Sequence, residues 1–152
     1  MSTTIATHSI VEEIAIEAPA ERIFHALTRP SAILKWWRAD RKFQTTHFEN
    51  DLRVGGKWMT RVAGPCGSGT SSVVKGEYQA VEYPRLLSYT WQRVGDDEDE
   101  RETLVTWQLR EKDGVTTVRV THTGLVTDDL LRRNSGWPLI LRLLQNHFHP
   151  AR

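Results

Sequence analysis

The side chain best suited to acid–base chemistry in this sequence is His122. It lies in the segment VTTVRVTHT and shares the parity of Val118 and Val120, so the three side chains point to the same face of a predicted strand. An imidazole on an apolar face can move a proton or orient a polar ligand group, because its ordinary pKa lies near neutrality. A core histidine bonded to a backbone carbonyl fits the same position, so the sequence leaves both roles open.

Aromatic residues form the second candidate group, since the chain has six tryptophans in 152 residues. Tryptophan is rarely left in water, and strand parity or helical spacing turns most of these rings inward. The predicted lining of an internal cavity consists of Trp37, Trp58, Tyr78, Tyr89, Trp91, Trp107, His122, Trp137 and Leu141. Such rings could stack on a planar ligand or simply fill the core. The small inward residues Gly76 and Thr60 favour a cavity over a filled interior.

The remaining reactive residue types predict neither a metal site nor a cofactor. His147 and His149 are two apart on a predicted helix and therefore do not share a face, and no cysteine or carboxylate lies at ligand spacing nearby. The glycine-rich stretch 64–70 lacks the Lys-Ser/Thr pair of a phosphate-binding loop. Its Cys66 has no adjacent histidine that would activate it, so we interpret it as an incidental thiol.

Three charged residues on predicted strands would be functional if they faced the interior, because an inward charge is expensive to bury. Parity directs Arg61 and Glu77 outward, and Arg93 lies near the end of its strand. None of the three is predicted as a site residue.

Composition indicates a single domain over residues 8–149, preceded by seven residues without a pattern that are expected to fray. Twenty basic and nineteen acidic residues leave a net charge of +1, which gives no field favouring nucleic acid. No stretch is long and apolar enough to span a membrane, and the N-terminus has no secretory pattern. We therefore expect a cytoplasmic protein, with which a single cysteine agrees.

The elements that must position these side chains follow from hydrophobic periodicity. Period-two segments predict strands at residues 10–17, 43–49, 57–63, 73–81, 86–94, 104–110 and 115–123. Two short helices, within residues 20–28 and 31–38, separate the first strand from the second.

The C-terminal stretch from Thr127 to Phe148 predicts a short helix, a kink at Gly136-Trp137-Pro138 and a longer helix. Its apolar stripe must cover one face of the sheet, and the kink would place Trp137 beside His122. Ligands bind in the space that a helix leaves over a curved sheet. Unpaired strand edges leave homodimerisation open.

The order of these elements and several motifs resemble the START-like helix-grip (SRPBCC) superfamily and, within it, the homologues of the heat-shock-protein ATPase activator. The motifs are LTRPSAILKWW at 27–37, FENDLRVGGKW at 48–58, RVAGPCGSGT at 61–70, GEYQAVEYPRLLSYTW at 76–91, LVTWQL at 104–109, TTVRVTHTGL at 116–125 and GWPLILRLL at 136–144. The resemblance implies an α+β helix-grip fold. In this fold a seven-stranded curved antiparallel sheet wraps around a long C-terminal helix, with two short helices between strands 1 and 2.

For function, the resemblance implies a cavity for a hydrophobic or aromatic small molecule. The aromatic inward face and the missing catalytic constellation favour binding of this molecule without obligatory catalysis. One alternative is a cyclase-, aromatase- or hydrolase-like enzyme in which His122 or Tyr89 moves protons. Another is a co-chaperone-like interaction module that acts through the outer sheet face or the acidic segment 96–102. Fold alone does not choose among them.

Overall fold

A curved antiparallel sheet carries the fold, with helices inserted after its first strand and after its last. The computed structural model describes residues 8–64, 71–95 and 99–149. The strands are β1 (Ser9–Ile16), β2 (Arg38–Ala39), β3 (Phe43–Asn50), β4 (Lys57–Ala63), β5 (Ser71–Glu82), β6 (Leu86–Val94), β7 (Thr103–Lys112) and β8 (Val115–Thr123). The helices are α1 (Ala20–Thr28), α2 (Pro30–Trp36), α3 (Asp128–Arg133) and α4 (Trp137–Phe148).

The strands join in the spatial order β1-β8-β7-β6-β5-β4-β3-β2 to form one eight-stranded sheet. This count corrects the predicted seven strands. The additional strand, β2, pairs Arg38 with Gln44 and Ala39 with Phe43. Two residues are too few to show a period-two pattern, so β2 left no signal in the sequence.

Two irregularities in strand pairing accompany the curvature of the sheet. The register shifts between Thr45 and His47 in the β3–β4 pair, and between Tyr78 and Ala80 in the β5–β6 pair. A bulge of this kind bends its strand and increases the local twist. Both lie on strands whose inward side chains surround the space under the helices.

The predicted kink in the C-terminal stretch is an interruption between two helices. The hydroxyl of Thr127 accepts a hydrogen bond from the backbone N–H of Leu130 and caps α3, which ends at Arg133. The next helix begins at Trp137, so Pro138 lies in its first turn, where a missing N–H breaks no helical bond. The proline therefore starts α4 instead of bending it.

The last helix packs its apolar stripe into the core, where Trp137, Ile140, Leu141 and Leu144 are buried. Its polar side also contacts the outer end of β1. The Gln145 side chain donates a hydrogen bond to the carbonyl oxygen of Ala15 at 3.0 Å, and His149 Nε2 lies 2.9 Å from the carbonyl oxygen of Glu17. Part of the sheet edge on which a homodimer could form is thus occupied by α4, and homodimerisation stays a prediction.

Several sequence predictions concern residues outside the described ranges. These are the fraying of residues 1–7, the role of Cys66 in its glycine-rich loop, and the first part of the acidic segment, residues 96–98. Within the described ranges, none of the helices has the length and apolar character needed to cross a membrane.

Candidate ligand-binding cavity

A cavity of about 330 Å³ lies between the concave face of the sheet and the helices. Six of the nine residues predicted to line it do so: Trp37, Trp58, Tyr78, Tyr89, Trp91 and Trp137. Further apolar and small polar side chains complete the wall, among them Leu27, Ile33, Phe43, Thr45, Phe48, Thr60, Val62, Ser72, Val74 and Ile140. The space that a curved sheet was expected to leave under its helices is therefore present.

The tryptophans of the wall contact one another instead of standing apart. Trp91 is at the centre of the group, with ring centroids 6.3 Å from Trp37, 5.7 Å from Trp58 and 5.9 Å from Trp137. Trp58 meets the ring of Tyr89 edge-on at 5.1 Å. Each ring thus contributes to core packing and also presents a surface to the cavity, so the two sequence interpretations of these residues do not exclude each other.

Four of the aromatic residues on the wall carry polar hydrogens that bond to nothing in the described ranges. We call Trp58, Tyr78, Tyr89 and Trp91 the donor wall. The indole nitrogens of Trp58 and Trp91 are buried without a hydrogen-bond partner. An indole N–H can only donate, so each of them lacks an acceptor.

The two tyrosines of the donor wall accept hydrogen bonds from elsewhere. Asn50 Nδ2 donates to the Tyr78 hydroxyl at 3.0 Å, and Trp107 Nε1 donates to the Tyr89 hydroxyl at 2.9 Å. These contacts use the oxygens as acceptors and leave each O–H as a donor with no acceptor in the part of the chain that the structure describes. Burial raises the pKa of both hydroxyls above the ordinary value of 10.0, so they remain protonated at neutral pH.

His122 takes part in a closed chain of hydrogen bonds that we call the latch, formed by Trp137, His122 and Thr103. Trp137 Nε1 donates to His122 Nδ1 at 3.1 Å, and His122 Nε2 lies 2.7 Å from Thr103 Oγ1. The threonine hydroxyl donates in turn to the carbonyl oxygen of Trp91 at 2.9 Å. An acceptor at Nδ1 places the imidazole proton on Nε2, so every donor in the chain has its acceptor. The predicted proximity of Trp137 and His122 is confirmed.

The environment of His122 keeps its ring neutral. The residue is fully buried, and burial lowers the pKa of its imidazole from 6.5 to about 4. Both ring nitrogens are occupied within the protein, and the side chain lies outside the cavity wall. The arrangement suits a connection between β8 and α4 and offers no free nitrogen to a ligand.

The other two predicted residues that do not line the cavity lie in the packing behind it. Trp107 is fully buried, and its hydrogen bond fixes the position of the Tyr89 hydroxyl. Leu141 belongs to the buried stripe of α4. Strand parity and helical spacing predict an inward direction but not the layer in which a side chain ends, which explains why these residues could not be separated from the wall.

Gly76 serves the packing of a tryptophan instead of opening space. A Cβ at this position would lie 1.8 Å from the Thr90 carbonyl oxygen and 2.6 Å from Trp58 Nε1. The missing side chain therefore lets the Trp58 indole lie directly on β5. Thr60, the other small residue expected to leave room, does line the cavity.

One end of the cavity carries polar side chains that sequence analysis did not select. We call Arg93, Arg133 and Asn134 the polar end. Arg133 is about half exposed, so this end reaches the protein surface. Arg93 continues the inward row of Tyr89 and Trp91 on β6, and extending that alternation by two residues would have found it. No periodic signal indicates Arg133 or Asn134, which reach the site through the turn between α3 and α4.

The described residues contain no group of three or more His, Cys, Asp or Glu side chains that could hold a metal ion. His149 contacts a backbone carbonyl, and His147 packs against the ring of Phe148. Arg61 is exposed, in agreement with its outward parity.

Comparison with known proteins agrees with the sheet and helix arrangement. Residues 17–149 match the family described as Activator of Hsp90 ATPase homolog 1-like protein. The chain belongs to this family. The match extends from the end of β1 to the end of α4, so it includes the whole cavity, and it confirms the resemblance drawn from the motifs.

Several solved structures share the fold of this chain. A protein from Chromobacterium violaceum has a TM-score of 0.82 at 22% identity, over 95% of this chain and 99% of that one. The AHSA1-like protein from Aeromonas hydrophila has a TM-score of 0.76 at 27% identity, over 93% and 92%. CalU16 from Micromonospora echinospora has a TM-score of 0.64 at 24% identity, over 93% and 76%. No curated protein matches the chain in sequence.

Proposed function

We propose that this protein binds a hydrophobic or aromatic small molecule in the cavity between the sheet and the C-terminal helix, without obligatory catalysis. The observation that carries the proposal is a cavity of about 330 Å³ whose wall is mainly aromatic and aliphatic. Ligand pockets generally measure about 300–1,000 Å³ and combine an apolar lining with a few polar groups. The volume lies near the lower limit, which favours a ligand of one to three rings over a long lipid chain.

The polar groups near the cavity support binding more than acid–base catalysis. His122, the candidate acid or base, has both ring nitrogens bonded within the protein and a pKa of about 4. A catalytic base needs a pKa near the working pH and access to the proton that it removes. The Tyr89 hydroxyl has a raised pKa, so it supplies a hydrogen-bond donor and not a base.

Filling the cavity provides the test. Val62 points inward on β4 and lines the cavity, whereas Met59 is on the opposite face of the same strand and does not. The probe is N-phenyl-1-naphthylamine, an uncharged aromatic dye whose fluorescence rises in apolar surroundings. We expect the native protein to bind the dye, and Val62→Trp to weaken binding roughly tenfold or more by occupying the space of a ring.

Met59→Trp is the matched control and should bind the dye as the native protein does. Circular dichroism and thermal unfolding verify that both variants remain folded. A native protein that leaves the dye fluorescence unchanged at saturating protein would contradict the proposal. Equal affinity of the native protein and a folded Val62→Trp variant would contradict it as well, because the dye would then bind outside the cavity.

A further inference from the structure

The charges on the cavity wall have one sign. Among the residues that the structure describes, the charged side chains on the wall are Arg93 and Arg133, both at the polar end. Glu100 lies between them and is the carboxylate that both face. Arg133 also pairs with Asp129, whose Oδ2 lies 3.2 Å from Arg133 Nε. Both carboxylates lie outside the wall, so the charged groups that line the cavity itself are the two guanidinium groups.

The bonding of these groups leaves Arg93 incompletely satisfied. Its Nε is 3.7 Å from Glu100 Oε2, which is an ion pair but too long for a hydrogen bond. The other oxygen of Glu100 contacts Arg133 Nη1. The backbone holds Glu100 in this position, because its N–H donates to the carbonyl oxygen of Arg93 at 2.9 Å. A guanidinium presents a planar fork of donors that matches a carboxylate in two-bond geometry, and Arg93 makes no such contact within the described ranges.

The donor wall, which carries no charge, also favours a ligand with hydrogen-bond acceptors. Its two indole N–H groups and two phenolic O–H groups all require an acceptor. A ligand that carries oxygen acceptors satisfies those donors that face the cavity, whereas an apolar ligand or a ligand with only donors leaves all four unbonded. A buried donor that stays unbonded weakens ligand binding, because the contact with water that it lost is not replaced.

A cationic ligand is the alternative, because aromatic rings attract cations and four tryptophans lie next to one another on the wall. The charges of the wall oppose it. A cation in this cavity would approach two arginines, and no carboxylate in the described part of the wall would face it.

We infer that the ligand is an aromatic acid, with its rings among the tryptophans and its carboxylate on Arg93 and Arg133 at the polar end. This assignment rests on the proposed binding function and names the class of ligand that the site accepts. In the bound state the ligand carboxylate takes up the free donors of Arg93 and shares Arg133 with Glu100 and Asp129. The ring system fills the apolar part of the cavity, and ring oxygens, where present, bond to the donor wall.

Three probes of one ring size test the charge preference: 2-naphthoate, the uncharged 2-naphthamide and the cationic 2-naphthylmethylammonium. Binding is measured by isothermal titration calorimetry at low and at high salt. We expect naphthoate to bind roughly tenfold more tightly than naphthamide, the effect of one charge-assisted hydrogen-bond pair. The advantage should shrink as salt rises, and the ammonium probe should bind more weakly than naphthamide.

Variants locate the preference at the polar end. Arg93→Met keeps the length of the side chain and should reduce the naphthoate-to-naphthamide affinity ratio to about one, with Arg133→Met giving a smaller reduction. Glu100→Gln removes the competing charge and should raise the ratio severalfold. Arg119→Met is the matched control, since Arg119 pairs with Glu13 on the outer face of the sheet, and its ratio should equal that of the native protein.

The outcomes separate this inference from the function on which it rests. If naphthamide and naphthoate bind equally, or if Arg93→Met leaves the ratio unchanged in a folded protein, the assignment of an acid is overturned while binding in the cavity stands. Tightest binding of the ammonium probe overturns it in the same way. If no naphthyl probe binds at millimolar concentration, the proposed binding function fails and the inference fails with it.

Discussion

Two groups of side chains between the sheet and the helices differ in how their polar hydrogens are used. In the latch, Trp137 donates to His122, and the chain continues through Thr103 to a backbone carbonyl. In the donor wall, the indole N–H groups of Trp58 and Trp91 find no acceptor among the described residues. Tryptophans a few ångströms apart thus differ: the latch is a closed hydrogen-bond network, whereas the donor wall contains N–H groups without an acceptor.

This difference separates structural from functional use of the same residues. A satisfied buried network stabilises the fold, because each lost partner leaves a group that water no longer reaches. An unsatisfied buried donor lowers stability and remains only where something else compensates for it. The latch therefore joins α4 to the sheet, and the unsatisfied donors of the donor wall support the proposal that a ligand binds in the cavity.

The largest expected effect comes from removing the latch. His122→Ala deletes a fully buried ring and leaves the Trp137 indole without its acceptor. We expect a loss of about 4 kcal/mol in the free energy of unfolding, measured by denaturant titration. Thr121→Ala, next to it on the other face of β8, should change stability by less than about 0.5 kcal/mol. A loss below about 1 kcal/mol for His122→Ala would show that the latch does not hold the helix.

Acid should lower the free energy of unfolding through His122 by nearly as much as His122→Ala does. His122 has a folded pKa of about 4, below its ordinary value of 6.5, so between these pH values the unfolded chain binds a proton that the folded protein excludes. This contribution to stability is fully present above pH 6.5 and is lost as the pH falls to 4. It amounts to roughly 3 kcal/mol.

The variant His122→Gln isolates the titration, since a glutamine can accept from Trp137 and donate to Thr103 without an ionisable group. The native protein should lose roughly 3 kcal/mol more than the glutamine variant between pH 7 and pH 4. Parallel stability curves for the two proteins would mean that the imidazole does not titrate in this range.

We expect the packing of the donor wall to be sensitive to an added methyl group at Gly76. Gly76→Ala places a methyl group 1.8 Å from the Thr90 carbonyl oxygen and 2.6 Å from Trp58 Nε1, so both the β6 backbone and the indole must move. We expect a loss of about 2 kcal/mol by thermal unfolding, together with weaker dye binding. Gly136→Ala meets open space and should have a smaller effect on both. Unchanged dye binding in Gly76→Ala would indicate that the Trp58 position is not critical for the wall.

The smallest expected effect gives the most direct comparison of the two groups. Trp137→Phe loses the hydrogen bond to His122, whereas Trp91→Phe loses an N–H that bonds to nothing in the described residues. Both changes remove the same atoms, so the difference between them reports the bond. Trp137→Phe should be less stable than Trp91→Phe by about 1 kcal/mol in denaturant titration. Equal losses would remove the distinction between latch and wall.

Periodicity predicted much of the fold because each element repeats its pattern several times. Alternation along β6 and β8 located the inward rows that contain Tyr89, Trp91 and His122, and helical spacing located the buried face of α4. Periodicity gave no prediction where an element was too short or where a residue lay near the end of its strand. The two residues of β2 carry no period, and Arg93 lies near a strand end, where alternation is a weak signal, although it continues the inward row of β6.

The order of the elements, the family and the inward direction of the aromatic side chains are predictable from the sequence, since they depend on local periodicity and motifs. The division of the inward side chains into a cavity wall and a hydrogen-bonded core depends on the three-dimensional fold. Burial depth and hydrogen-bond partners depend on residues that are separated in the chain, such as Trp107 with Tyr89 and Arg133 with Glu100. Bulges, helix placement and a single glycine at position 76 set those distances, and no local pattern encodes them.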